Sequence, residues 1–242
     1  MKHKSNAPTL WIWGTHAVLA ALQNEERSFE KLILTQEVYD EMPEELLKKC
    51  SFQILERREM ERVLPAGAVH QGIGLKTKPL PQMAIKDLLV ELEDDDLLLI
   101  LDHVTDPHNV GAILRTCAAF NVKALIMTDR NAPPLSGSLA KTASGALERL
   151  PVIFVTNLVR TLDTLKRNHI WVIGLAEEGT KPLDDTNLPG KKAIVMGAEG
   201  EGLRRLTREH CDILVNLPTN AEFPTLNVSV AAGISIYALA KK

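Results

Sequence analysis

Hydrophobic positions along the chain fall into two textures. In the second half, mostly apolar runs of four or five residues recur at 97–101, 124–128, 152–155, 171–175, 193–196 and 213–217. Most gaps between them carry helical spacing. The clearest is Val110, Ile113, Leu114, Cys117 and Ala118, at i, i+3, i+4, i+7 and i+8: one buried stripe, with Arg115 off it. Strands without polar alternation, separated by helices, predict an α/β fold whose parallel sheet is covered on both faces. Such sheets take ligands at the carboxyl ends of their strands, so chemistry is expected in the loops that follow.

The first half is finer grained. Strand-like runs at 11–14, 31–35, 52–55 and 72–75 are interleaved with helical patterns at 16–22, 43–49 and 57–64. They predict a small α/β domain over residues 1–78. Lys78-Pro79-Leu80-Pro81 is extended by its prolines, 85–92 has the pattern of a short helix, and Glu93-Asp94-Asp95-Asp96 reads as a solvated run. Residues 79–96 are therefore an expected acidic linker, and 97–242 an expected self-sufficient core.

Composition narrows the function classes. Among 242 residues, 45% are hydrophobic and 24% charged, the balance of a globular protein with a real core. Aromatics at 4% argue against a surface dense in base-stacking rings. Cys50, Cys117 and Cys211 are far apart and form no CxxC pair, so no zinc ribbon or redox motif is expected, and no metal. No apolar run reaches the ~18 residues of a membrane span. MKHKSNAPTLWIWG at the start has no apolar signal core, which predicts a cytoplasmic protein. The net charge of −3 conceals a gradient: residues 79–96 hold one basic and six acidic side chains, and 97–242 hold 16 basic and 14 acidic. Nucleic acid stays possible as a partner without being argued for.

Three post-strand loops carry candidate chemistry. The first, Asp102 to Gly111, opens the helix with the buried stripe. Gly111 lies one turn before Arg115 and leaves the space above it open, which favours an arginine aimed at an anion. The plainer alternative makes Asp106 and Asn109 caps and Arg115 a surface charge. The second, Gly197-Ala198-Glu199-Gly200-Glu201-Gly202, suggests a backbone that a ligand approaches closely. Its spacing is neither the dinucleotide fingerprint nor a phosphate loop, and its glutamates suit hydroxyls or positive charge. The third runs from Asn216-Leu217-Pro218 to Val230. There Thr225 is expected to cap a helix whose buried side is Leu226, Val230, Ile234 and Tyr237.

Taken together, these segments resemble the SpoU/TrmH (SPOUT) family of RNA ribose 2′-O-methyltransferases. The motifs are Asn109 to Arg115, Gly197 to Gly202, and Pro218 to Ala231, in that order. Gly14-Thr15-His16-Ala17-Val18 and His70-Gln71-Gly72-Ile73 resemble the edges of the family's small RNA-binding domain. The resemblance implies a parallel sheet with a C-terminal trefoil knot, S-adenosylmethionine as cofactor against Gly197, Leu217 and Leu226, and a homodimer with shared sites. It implies a guanosine of 23S ribosomal RNA as the first target, with transfer RNA as the alternative. On it, Arg115 binds the substrate phosphate and assists deprotonation of the 2′-hydroxyl, Asn109 orients the nucleotide, and Glu199 and Asn227 hold the geometry. The third loop departs from the family pattern: Thr219, Ala221 and Thr225 stand where methionine, glycine and serine are usual. An RNA-binding member that no longer methylates is the rival reading, and altered donor binding is the expectation this loop raises.

Overall fold

The computed structural model describes residues 9–220, 222 and 225–240. They form two compact units. The first begins β1 (Leu10–Trp13), α1 (Thr15–Gln23), β2 (Phe29–Leu34), α2 (Gln36–Glu41), α3 (Glu44–Leu47), β3 (Phe52–Ile54), α4 (Arg57–Val63) and β4 (Ile73–Thr77). Its sheet runs β1-β4-β2-β3, with β2 and β3 parallel and the other pairs antiparallel. A reciprocal capping box between Glu56 and Glu59 starts α4. Hydrophobic periodicity did not predict α2, and the reason is plain: none of its residues is buried, so it has no apolar stripe.

The second unit opens with α5 (Ile85–Glu91), β5 (Leu97–Asp102), α6 (Pro107–Ala119) and β6 (Ala124–Thr128). The chain then returns to the first unit for Pro134–Glu148. That segment holds α7 (Gly137–Ala143) and a 3-10 turn, Ala146–Glu148. Back in the second unit come β7 (Val152–Val155), α8 (Leu158–Arg167), β8 (Trp171–Leu175), β9 (Lys181–Pro182), β10 (Lys192–Gly197), α9 (Arg205–Glu209), β11 (Ile213–Asn216) and α10 (Val228–Ala240). Seven strands make one sheet in the order β7-β6-β5-β10-β8-β11-β9, and every pairing in it is parallel. One face buries Leu98, Ile100, Ile126 and Val195 against Leu162 and Leu165 of α8 and Leu88 of α5. Val110, Ile113, Leu114 and Cys117 of α6 are fully buried, as their spacing predicted. No helix among the described residues is long and apolar enough to cross a membrane.

Three expectations are revised. The units do not divide the chain at 78 and 97. Residues 82–96 belong to the larger unit, where Leu88 joins its core. The acidic run is solvated as expected at Glu93, Asp94 and Asp95, while Asp96 is half-buried, its Oδ2 accepting from Glu93 N at 2.8 Å and lying 3.7 Å from Lys123 Nζ. Conversely, Pro134–Glu148 belongs to the smaller unit through close packing and a buried ion pair. A Cβ at Gly137 would lie 2.1 Å from the Trp13 ring and 2.2 Å from the Trp11 carbonyl oxygen, so only glycine fits. Arg27 Nη2 meets Glu148 Oε1 at 2.7 Å, with the two side chains 2% and 5% exposed. Arg27 Nη1 also donates to the Lys78 carbonyl at 2.9 Å. Finally, α10 turns the other way from its predicted face. It buries Val228, Ala231, Ala232, Ser235, Ile236 and Leu239, while Leu226 before it and Val230, Ile234 and Tyr237 on it are 39–50% exposed.

Candidate active site

Local sequence sets the first wall of the site. Asp106 caps α6, its Oδ1 accepting from His108 N at 2.9 Å, and Pro107 takes the first helical position, where a missing N–H costs nothing. The cap is thus supplied without Asn109, which is left for other work. Asn109 Nδ2 donates to Glu199 Oε2 at 3.4 Å, and Asn109 Oδ1 accepts from Asn227 Nδ2 at 3.1 Å. Asn227 Oδ1 in turn accepts from Ser229 N and Oγ at 2.9 and 2.6 Å. It is therefore Asn227 that caps α10, not Thr225. Because its oxygen is committed to Ser229, its amide nitrogen must donate outward. The two amides are fixed in orientation, and the chain of bonds ends on a carboxylate.

The glycine-rich loop forms the second wall. Gly197 and Asp102 are register partners at the ends of β10 and β5. From there the loop folds back on itself: Gly202 N donates to Ala198 O at 2.9 Å. A Cβ at Gly197 would lie 2.0 Å from Gly202 C, so the first glycine permits the loop's own closure. Gly200 and Gly202 have φ of 83° and 66°, the left-handed region, and a Cβ there would meet nothing within 4 Å. A buried carboxylate anchors the loop's far end. Asp102, fully buried, accepts from Arg204 Nε at 2.7 Å, from Arg204 N at 3.2 Å and pairs with Nη2 at 2.6 Å.

Between the carboxyl ends of β8, β10 and β11 lies a cleft of about 860 Å³. Gly197, Leu217 and Leu226 line it, as do Glu199 and Asn227. Its charge is mostly acidic: Glu177, Glu178, Glu199 and Glu201 face it, with Arg208 the one basic side chain among the described lining residues. Arg208 Nη1 bonds Glu178 Oε1, and that bond first, then one to the backbone, holds the Glu178 carboxyl below the ordinary carboxylate range. Burial pushes the thiols of Cys117 and Cys211 up to about 12, which leaves neither as a nucleophile at neutral pH.

The structure therefore brings six of the seven expected site residues to one place. Arg115 is the exception. It is exposed on α6, six residues and about 9 Å beyond Asn109, and does not join the hydrogen-bonded chain. Sequence reasoning missed Asp102, Arg204 and Arg208, because no local pattern marks a partner 102 residues away. The stretch around Ala221 and Pro224 lies outside the described residues.

Residues 96–237 match the SpoU rRNA Methylase family, and residues 11–83 match the RNA 2′-O ribose methyltransferase substrate binding family. This chain belongs to the SpoU methylase family. It is 42% identical over 232 residues to the 23S rRNA (guanosine-2′-O-)-methyltransferase RlmB of Salmonella typhimurium, covering 93% of this chain and 96% of the relative. The enzyme of that name from Pasteurella multocida is 41% identical over 239 residues, 96% of this chain and 97% of the relative. Among solved structures, the SpoU methyltransferase AviRb of Streptomyces viridochromogenes in complex with AdoMet superposes with a TM-score of 0.82 at 19% identity. It covers 96% of this chain and 89% of that one. That likeness shows the fold.

Proposed function

We propose that this protein transfers a methyl group from S-adenosylmethionine to a ribose 2′-hydroxyl of structured RNA, a guanosine of 23S ribosomal RNA. The observation that carries the reading is the bond chain Asn227–Asn109–Glu199, which ties the three separate motifs into one rim of one cleft. The relatives' names supply the RNA. The cleft fits the donor: its volume suits a ligand of that size, and its carboxylates complement a sulfonium and an ammonium. When bound, the donor supplies an electrophilic methyl group on sulfur.

The protein's own work is positioning and proton handling. Gly197, Leu217 and Leu226 hold the donor against the ends of β10 and β11, and the glycines at 200 and 202 let backbone approach it. Asn109 orients the acceptor nucleotide, with its amide locked by Glu199 and Asn227. Arg115 binds the substrate phosphate and stabilises negative charge on the 2′-oxygen as its proton leaves. We take Arg115 to complete the site when two copies meet. Val230, Ile234 and Tyr237 of α10, with Phe120 edge-on to Tyr237 at 5.7 Å, form an apolar face beside α6 suited to a second copy. The trefoil knot is proposed on the same footing. β11 lies between β8 and β9, and a Cβ at Gly179 would sit 2.3 Å from Val215 C, so the loop after β8 hugs the end of β11. A cytoplasmic location follows from the substrate.

The test is a map of ribose methylation across ribosomal and transfer RNA with the gene deleted and restored. One 23S guanosine losing and regaining its methyl group supports the reading. A transfer RNA site responding would move the substrate, and an unchanged map with no donor binding would favour the non-catalytic rival.

A further inference from the structure

The fit of the donor described above leaves one of its charges unmatched. S-adenosylmethionine carries a sulfonium, an ammonium and a carboxylate, and the glutamates of the cleft complement only the first two. Arg208 is the one cation among the described residues that line the cleft, and the mechanism does not use it. Its Nη1 is bonded to Glu178 Oε1, and Nε and Nη2 have no partner among the described residues. The two side chains are 40% and 51% exposed, so the pair is open to a ligand. Glu209, the carboxylate next to Arg208 in the chain, is committed to Arg205, with Oε1 2.6 Å from Nη1.

A structural staple is the plainer role for such a pair, and the fold makes that role redundant. The loop after β8 that carries Glu178 is fixed to β11 without it. Ala176 N donates to Val215 O at 2.9 Å, Thr180 N to Leu214 O at 3.2 Å, and Asn216 Nδ2 to Gly179 O at 2.7 Å. α9, which carries Arg208, is held just before its start by Arg204 on the buried Asp102. Just past its end, His210 Nδ1 lies 2.8 Å from Asp163 Oδ1 on α8. Both carriers are set without the pair, and an ion pair this exposed adds little stability of its own. Its place in the cleft is also distinct. Glu178 follows β8, whereas Asn109 and Glu199 follow β5 and β10, so the pair stands away from the rim that meets the acceptor.

We infer that Arg208 and Glu178 form the subsite for the amino-acid head of the donor, Arg208 taking its carboxylate and Glu178 its ammonium. The inference rests on the methyl-transfer reading. An arginine–glutamate pair sets a positive and a negative group side by side, and an α-amino acid carries an ammonium and a carboxylate on one carbon. Laid against each other, the four charges alternate in sign. Nε and Nη2 of a guanidinium make the planar fork that a carboxylate takes with two parallel bonds, and Arg208 has both to give. With the sulfonium left to the other glutamates, every charge of the donor meets its opposite. The amino-acid head, as well as the nucleoside, then decides what the cleft accepts.

The experiment measures binding by calorimetry to the full-length protein and its R208A, R208K and E178Q variants. S-adenosylmethionine against its decarboxylated form isolates the carboxylate. S-adenosylhomocysteine against methylthioadenosine isolates the whole head. We expect the unmodified protein to prefer the complete donor over the decarboxylated one by roughly tenfold or more. R208A should lose that preference by weakening the complete donor, while the decarboxylated form holds or tightens and methylthioadenosine stays within about twofold. R208K, with charge but no fork, should recover part of it. E178Q should weaken the decarboxylated donor, which keeps the ammonium, and spare methylthioadenosine. Loss of methylthioadenosine in R208A as large as the loss of S-adenosylhomocysteine would make the pair a staple and overturn the subsite. So would equal binding of the complete and decarboxylated donors by the unmodified protein. A failure of the unmodified protein to bind any of the four ligands is a different result, and rejects the methyl-transfer reading together with the subsite built on it.

Discussion

Asn109 occupies the first turn of α6, where its residue type alone suggests a cap. That Asn109 is not the cap is shown only by Asp106, which takes the capping role, and by two partners 90 and 118 residues away. Replacing Asn109 with aspartate would set two carboxylates side by side where an amide now donates to Glu199. We expect N109D to lose most methyl transfer at neutral pH, with the loss easing as pH falls toward the carboxylate range; a pH–rate profile checks this. The exposure of Arg115 was legible from its place off the buried stripe. R115A is expected to lower turnover by roughly 10²–10³ while melting temperature and donor affinity barely move. Lysine, lacking the planar fork, should rescue only partly. His70 supplies a pH prediction. It is buried, its Nδ1 accepts from Gly72 N at 3.0 Å, and burial, followed by Arg57, lowers its pKa. The folded state favours neutral imidazole, so its contribution is present above the unfolded value of about 6.5 and is lost as pH falls below it. Thermal melts at pH 7.5 and 5 should separate more for the unmodified protein than for H70N.

At the scale of elements, legibility followed contrast. The six apolar runs of the second half became β5, β6, β7, β8, β10 and β11, because strands buried on both faces have a texture no loop imitates. α10 misled for the opposite reason. Its sequence, Val-Ser-Val-Ala-Ala-Gly-Ile-Ser-Ile-Tyr-Ala-Leu-Ala, is apolar all round, so size suggested the large residues as the inward face. The core instead takes a side that mixes the small Ala231, Ala232 and Ser235 with Val228, Ile236 and Leu239, where α10 packs beside α6, with Gly233 near Thr116. Large residues left outside such a helix need a partner. I234E is expected to shift the protein toward monomer in sedimentation at micromolar concentration, with the far-UV spectrum unchanged. A dimer as tight as before would remove α10 from the interface.

For the whole molecule, a single boundary near residue 78 was the natural reading, since composition changes there. It could not show that Pro134–Glu148 completes the smaller unit, because that link is made by one glycine fit and one buried ion pair rather than by any local pattern. Deleting residues 1–78 would therefore strip the partners from Leu139, Ala140, Ala143, Ala146 and Leu147. We expect the truncated protein to aggregate and to melt lower. R27A, which strands Glu148 as a buried charge, should destabilise by about 3–5 kcal/mol in a urea titration. The interleaving also sets an order on synthesis. The smaller unit emerges first from the ribosome, yet its last piece ends at Glu148, 67 residues after Pro81. At about 5–20 residues per second, the nascent chain waits roughly 3–13 s with that unit unfinished while β5, α6 and β6 are being made. The smaller unit still closes before the larger, which needs β7 to β11 made after Glu148, so a nascent-chain chaperone would find in the first sheet a client held open until α7 is made.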